Sequence, residues 1–146
     1  MLLVAVQRAR QHAWKAQCIS NLRQIGQGLS IYYENNRRFP EAANRPSLGI
    51  SPLPPITEAM ADYLPSATFR CGADQMGLFE KEGSSYEWNT LLNGISRERA
   101  AEIIGEVVPG GDAGAATFWD YEPFHGKPGS RGARHMLFLD GHVEGI

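Results

Sequence analysis

The chain has 146 residues, of which 42% are hydrophobic and 10% aromatic, a composition sufficient to fill one core and typical of a single globular domain. Its formal net charge of −2 disfavours nucleic-acid binding. The charge is unevenly divided, with a net +5 over residues 1–45 and a net −7 over the rest. Attraction between a basic end of one copy and an acidic end of another is one interpretation. A solvated helix face is the simpler one, because exposed ion pairs contribute only about 0–1 kcal/mol each.

The first predicted element is one long helix from about Leu3 to Asn36. Apolar residues recur along it at steps of three and four, and no proline interrupts the pattern before Pro40. The stripe comprises Cys18, Leu22, Ile25, Leu29 and Tyr32, with Ile19, Gly26 and Tyr33 beside it. At about 1.5 Å per residue such a helix is about 50 Å long, more than a domain of this size can bury. Its front third is therefore expected to project from the domain.

The opening residues, Met1 to Val6, are apolar, but Arg8 and Arg10 follow too soon for a bilayer span of about 20 apolar residues. The run also lacks the basic head and the small-residue cleavage site of a signal peptide. We therefore interpret it as the end of a membrane helix whose first part precedes this sequence.

Short elements are predicted after the long helix. A helix should follow Pro54-Pro55, and a second should run from the N-cap Ser96 to Ile104. Strands are expected near residues 84–88, 115–119 and 135–139. The resulting fold class is α+β, with a long N-terminal amphipathic helix packed on a small antiparallel sheet.

The pair Asp140-Gly141 is the strongest hairpin signal in the chain. A two-residue type I′ turn needs positive φ at both central residues, and Asp-Gly accepts that conformation. We therefore predict a two-residue turn that pairs residues 135–139 with residues 142–146.

Several blocks of the chain resemble the type IV pilin-like proteins, most closely the pseudopilins of type II secretion. They are the helical run from Ala9 to Gly26, Tyr32 or Tyr33 with Phe39-Pro40, Phe69-Arg70-Cys71, Ser85 to Asn89, and the terminal run Phe138 to Val143. One subgroup of that family ends in a His followed by Asp-Gly. The segment from His125 to Asp140-Gly141 is similar to this signature, at a longer interval.

The resemblance implies one folded unit in which residues 1–36 form a stem and residues 37–146 a pilin-like head. It implies a non-enzymatic structural subunit of a pseudopilus or pilus-like filament. Leader cleavage and N-methylation are traits of that family. The subunit would be anchored in the inner membrane with its head in the periplasm, or at the cell surface within a filament. Its partners would be other pseudopilin subunits, the inner-membrane assembly platform and, through the preceding segment, the membrane.

Five stem residues are expected to contact neighbouring subunits, because they are small or apolar and the head does not need them. They are Leu3, Val6, Ala9, Ala13 and Ala16. Cys18 and Cys71 belong to no C-x-x-C pair, which disfavours a zinc site. The non-cytoplasmic location that the resemblance implies favours a disulfide between them. Two buried reduced thiols are the open alternative.

The His and acidic residues near the C-terminus suggest a metal enzyme, with Asp120 and Glu122 close to the group His125, His135, Asp140 and His142. Strand alternation separates His135 from its neighbours, however, and the turn accounts for Asp140. The chain also lacks a nucleophile elbow, a phosphate-binding loop and an H-E-x-x-H helix. We therefore predict no enzymatic activity, and expect His125 to hold its Gly-rich loop in place through hydrogen bonds.

Calcium is the one candidate cofactor. Major pseudopilins of the related branch bind it in a C-terminal loop, and Asp112 and Asp120 offer carboxylates in a Gly-rich segment here. Two other functions stay open. An exported, adhesin-like binding module would use an exposed aromatic loop of Phe118, Trp119, Tyr121 and Phe124, and a metal-dependent hydrolase ranks third.

Overall fold

The computed structural model describes residues 1–105 and 113–146. Its first element, α1, is one continuous helix over Leu2–Asn36, which confirms the prediction of an unbroken helix. The helix ends where Arg37 adopts a left-handed conformation with φ of 57°. The Arg37 N–H then donates to the carbonyl of Tyr33 at 2.7 Å, which closes the last turn.

The two halves of α1 have different surroundings. Residues 1–13 are exposed throughout, and Trp14 is the first residue with partial burial. Further along, six residues at helical spacing are buried: Cys18, Asn21, Leu22, Ile25, Gly28 and Leu29. The predicted projection of the front third is therefore confirmed. Within the described residues, no helix combines the length and the apolar character that a bilayer crossing requires.

Within the residues that the structure describes, the head contains three short α-helices and four strands, together with short 3-10 turns. The helices are α2 (Ile56–Ala59), α3 (Leu78–Glu82) and α4 (Arg97–Gly105), and the strands are β1 (Tyr86–Trp88), β2 (Ala116–Asp120), β3 (His135–Phe138) and β4 (Val143–Gly145). The strands make one antiparallel sheet in the order β1-β2-β3-β4. The predicted α+β fold class is thus confirmed. Ser96 caps α4 as expected, since its Oγ accepts from the N–H of Arg99 at 3.2 Å.

The inner face of the sheet packs on the buried half of α1. Gly26 permits the close approach, because a Cβ at that position would lie 3.1 Å from Cδ1 of Leu137 in β3. Beneath the helix, Trp88 and Phe118 meet with ring centroids 4.9 Å apart. Asn21 adds a polar connection between helix and head, because its Nδ2 donates to the carbonyl of Arg70 at 2.8 Å.

The turn between β3 and β4 differs from the predicted type I′ turn. Among the described residues Arg37 is the one non-glycine residue with positive φ, so Asp140 does not adopt that conformation, whereas Gly141 does at 91°. The N–H of Gly141 donates to the carbonyl of Phe138 at 2.9 Å, and the N–H of Phe138 donates to the carbonyl of His142 at 3.0 Å. The loop therefore contains three residues, 139–141, and has its glycine in the last position.

The cause of the longer loop is Leu139. This residue is 6% exposed, and its N–H donates to the carbonyl of Ala115 at 2.8 Å. Its side chain belongs to the core and its backbone bonds a neighbouring segment. Leu139 therefore ends the strand pairing one residue earlier than the sequence pattern suggests.

Replacing Gly141 by Val is expected to destabilise the fold by about 1–3 kcal/mol, because a β-branched residue is strongly disfavoured at positive φ. A Cβ at this position would meet nothing within 4 Å, so the cost is conformational and not a clash. Urea unfolding measures it. Gly141→Asn is the control and should lose less, because asparagine tolerates positive φ better. Equal losses for the two variants would contradict this account of the turn.

Candidate functional site: a buried Asp–His cluster beside a disulfide

Cys18 of α1 and Cys71 of the head form a disulfide, with their Cα atoms 5.2 Å apart. This pairing was one of the two alternatives that the sequence left open. Both cysteines are buried, at 0% and 1% exposure. The bond joins the start of the buried half of α1 to the segment that follows the 3-10 turn over Ser66–Phe69.

Beside the disulfide lie three residues that we call the Asp–His cluster: Asp120, His125 and His135. Asp120 is the last residue of β2, His135 is the first of β3, and His125 lies in the connection between these strands. Asp120 is 0% exposed and His135 2% exposed. Both point inward because each lies two residues from a core residue of its strand, Phe118 or Leu137, and so shares its face of the sheet.

The distances within the cluster are short. Asp120 Oδ2 accepts a hydrogen bond from the backbone N–H of His135 at 2.7 Å. The same oxygen lies 3.3 Å from Nδ1 of His135 and 3.6 Å from Nε2 of His125. The two imidazole rings are tilted, with centroids 4.6 Å apart. One carboxylate oxygen thus faces two imidazoles.

Three polar atoms of the cluster are buried without a hydrogen-bond partner among the described residues: Asp120 Oδ1, His135 Nδ1 and His135 Nε2. The 3.3 Å separation of His135 Nδ1 from Asp120 Oδ2 does not have hydrogen-bond geometry. Leaving a buried polar group unsatisfied costs about 1–3 kcal/mol. Polar atoms left in this way point to a missing partner.

His125, which was expected to hold its Gly-rich loop in place, makes contacts both within and beyond that loop. Its ring does not bond within its own loop; Nε2 lies 3.5 Å from Sγ of Cys71, and only the backbone N–H bonds nearby, to the carbonyl of Ala133 at 3.0 Å. The ring therefore connects the loop to the disulfide. Burial lowers the pKa of His125 to about 4, aided by His135 and Lys15 and opposed by Asp120. The imidazole is consequently neutral at pH 7.

A cavity of about 530 Å³ leads to His125 from the surface. It separates α1 from the loop that carries His125, and its lining includes Gln11, Trp14, Ala73, Gln75 and Phe124. The Asp–His cluster therefore lies close to a space that solvent and small ions can enter.

The structure separates the His and acidic residues that the sequence had grouped. Asp140 and His142 form an exposed pair at the hairpin, with His142 Nδ1 2.5 Å from Asp140 Oδ1. His125 and His135 lie instead in the interior with Asp120. Strand alternation sets His135 apart from Met136 and Phe138, as predicted, and it also turns His135 toward Asp120.

Of the two predicted calcium ligands, the structure describes only Asp120, because Asp112 lies outside the described residues. Asp120 is buried and faces two imidazoles, whereas calcium prefers an all-oxygen set of ligands. The surroundings of Asp120 thus do not suit calcium, and a nitrogen-binding metal fits them better.

The predicted assembly residues are exposed, whereas the predicted aromatic loop is largely buried. Leu3 and Val6 are 75% and 53% exposed, and Ala9, Ala13 and Ala16 are exposed as well. The aromatic residues do not form one exposed loop, since Phe118 and Tyr121 are buried at 0% and 3% exposure. Trp119 and Phe124 are half-buried.

Chemically, the Asp–His cluster can supply one carboxylate and two imidazoles to a cation. No protein-family model matches the chain, and no curated protein or solved structure matches it either.

Proposed function

We propose that this chain is a non-enzymatic structural subunit of a pseudopilus or pilus-like filament, of the kind that serves type II secretion. The observation that carries the proposal is the exposed front of α1. Leu2, Leu3, Val4 and Val6 are 84%, 75%, 53% and 53% exposed on a helix that continues without interruption into the core. The resemblance of several sequence blocks to pseudopilins supports the same interpretation.

An exposed apolar helix end is a surface that gains free energy when another chain covers it. Burying apolar area contributes about 25 cal/mol per Å², and contiguous exposed apolar residues commonly mark interaction sites. Ala9 and Ala13 continue this surface with small side chains that permit close approach of a second helix. Packing the front of each stem on a different part of its neighbour would be a heterologous contact, which extends into a filament when it does not close.

The disulfide also supports a structural role. It attaches the stem covalently to the head at Cys18, next to the point where burial of α1 begins. A head that must stay on its stem within a filament benefits from such a bond. The inner-membrane anchor, the periplasmic location and the assembly platform as a partner are further parts of the proposal, and they are supported by the resemblance.

Cross-linking in the cells that make the full gene product tests the proposal. Single cysteines introduced by Ala9→Cys or Ala13→Cys should yield a ladder of multimers with a short bis-maleimide. Ala61→Cys is the matched control, since Ala61 is an exposed alanine of the head. Adding Val6→Asp to Ala13→Cys should abolish the ladder without lowering the melting temperature, because Val6 contributes little to the core. Monomers at every position, or a ladder from Ala61 alone, would reject stem-mediated assembly.

Trp119 offers a test against the adhesin-like alternative. Its ring lies beside β1, where Nε1 donates to Glu87, and the side chain is half-buried. Trp119→Ala should therefore cost about 1–3 kcal/mol of stability, less than the loss of a fully buried tryptophan. Chemical denaturation measures this cost. A change within about 0.5 kcal/mol would favour a surface residue kept for ligand capture.

A further inference from the structure

We propose that the Asp–His cluster binds one divalent transition-metal ion of the Zn²⁺ class, with Asp120, His125 and His135 as its three protein ligands. The site would operate in the disulfide-bonded protein. It is independent of filament assembly, and its role would be to fix β2, β3 and their connection to one another.

Geometry is the first argument. A tetrahedral ion with metal–ligand bonds of about 2.0–2.1 Å holds its ligand atoms about 3.3–3.4 Å apart. Asp120 Oδ2 lies 3.3 Å from His135 Nδ1 and 3.6 Å from His125 Nε2. One donor atom from each of the three residues lies within 4.8 Å of the others. Two of the three ligand–ligand distances therefore already match a tetrahedral site, and the third is at most 4.8 Å.

The unpartnered polar atoms are the second, independent argument. His135 is 2% exposed, and neither of its ring nitrogens has a hydrogen-bond partner among the described residues. Asp120 is 0% exposed, and its Oδ1 is also without one. An unneutralised carboxylate in a protein interior is costly. A dication bound to Nδ1 of His135 would give one of these nitrogens a partner and would neutralise the carboxylate.

The charges and protons around the cluster are consistent with a cation. Nε2 of His125 lies 3.5 Å from the disulfide sulfur of Cys71. This sulfur can only accept a hydrogen bond, so a contact between them places the ring proton on Nε2. Binding would therefore move the remaining ring proton to Nδ1 and release Nε2 for the metal. The positive charge of Lys15 on α1 opposes the binding of a cation, because it lies near enough to act on His125.

The type of ion follows from the ligands. Two imidazoles and one carboxylate suit zinc and neighbouring transition metals, whereas calcium and magnesium prefer oxygen ligands alone. Three protein ligands leave one position for water, which the cavity beside His125 can admit. The cavity also provides the entry path that a buried site requires.

Metal titration of the full, oxidised protein tests the proposal, with Co²⁺ as a spectroscopic probe and Zn²⁺ as its competitor. Co²⁺ should bind at one equivalent and give visible ligand-field bands that Zn²⁺ removes. Asp120→Asn and His135→Gln should each weaken binding by 10-fold or more. The matched control is His12→Ala combined with His142→Ala, which removes the exposed imidazoles and should leave the bands unchanged.

A measurement on the unaltered protein guards against variants that fail to fold. Excess Zn²⁺ should raise the melting temperature of the wild-type chain by several degrees, whereas excess Ca²⁺ should not. The proposal is overturned if no Co²⁺ bands appear, if they are lost in the His12/His142 control, if Ca²⁺ stabilises as strongly as Zn²⁺, or if metal binds only after the disulfide is reduced.

Discussion

Replacing Cys18 and Cys71 together by alanine is expected to lower the free energy of unfolding by about 4 kcal/mol. The bond spans 53 positions of sequence. In the chain-entropy model a cross-link of this length lowers the conformational entropy of the unfolded chain, which stabilises the folded state by about 4 kcal/mol. Both side chains are buried, so alanine also loses a small packing contribution. Urea unfolding of the oxidised wild type and of the double variant measures the difference.

Reductant supplies the control for this experiment. It should destabilise the wild-type protein by a similar amount and leave the Cys18→Ala/Cys71→Ala variant unchanged. Because the remainder of the buried stripe on α1 still packs on the sheet, the double variant should keep its helical content below the transition. A loss under about 1 kcal/mol would show that the bond does not limit the unfolded chain as the model requires.

The second large effect is expected for Leu92→Ala, at about 2–5 kcal/mol. Leu92 is 0% exposed and belongs to the core cluster. Its neighbour Leu91 lies in the same 3-10 turn, Thr90–Leu92, yet is 66% exposed. Leu91→Ala is therefore a closely matched control and should change stability by no more than about 0.5 kcal/mol.

Chemical denaturation compares the two leucine variants under one set of conditions. The slope of free energy against urea should be the same for both, so that the difference in midpoint reports stability alone. Equal losses would mean that the turn is packed differently, with Leu91 contributing to the core.

Patterns in the sequence predicted the parts of the fold that depend on periodicity. Cys18, Leu22, Ile25 and Leu29 recur at helical spacing and are the residues that α1 buries. Ser96 was recognised as a cap because capping is local chemistry. The position of the hairpin was predicted correctly, but its loop length was wrong. The reason is that the N–H of Leu139 donates to the carbonyl of Ala115, just before β2. Contacts of that kind are invisible to a rule based on two adjacent residues.

The sequence groups Asp120, His125 and His135 only within a larger set of His and acidic residues, and the strand alternation of His135 disfavours that set. A signal was present, because Asp120 shares strand parity with Phe118, and His135 with Leu137. Two polar residues on the inner faces of neighbouring strands indicate a buried polar pair. The position of His125 depends on the path of a long connection, which no local pattern specifies.

The position of the disulfide also determines how the molecule would carry a mechanical load. Tension applied to the front of α1 passes Trp14, the first partly buried residue, and then reaches Cys18, the first fully buried one. There a covalent bond passes the force directly to Cys71. The apolar contacts of Leu22, Ile25 and Leu29 lie beyond that bond along the helix and are not sheared first. The disulfide therefore carries tension on the stem before that tension can separate α1 from the sheet.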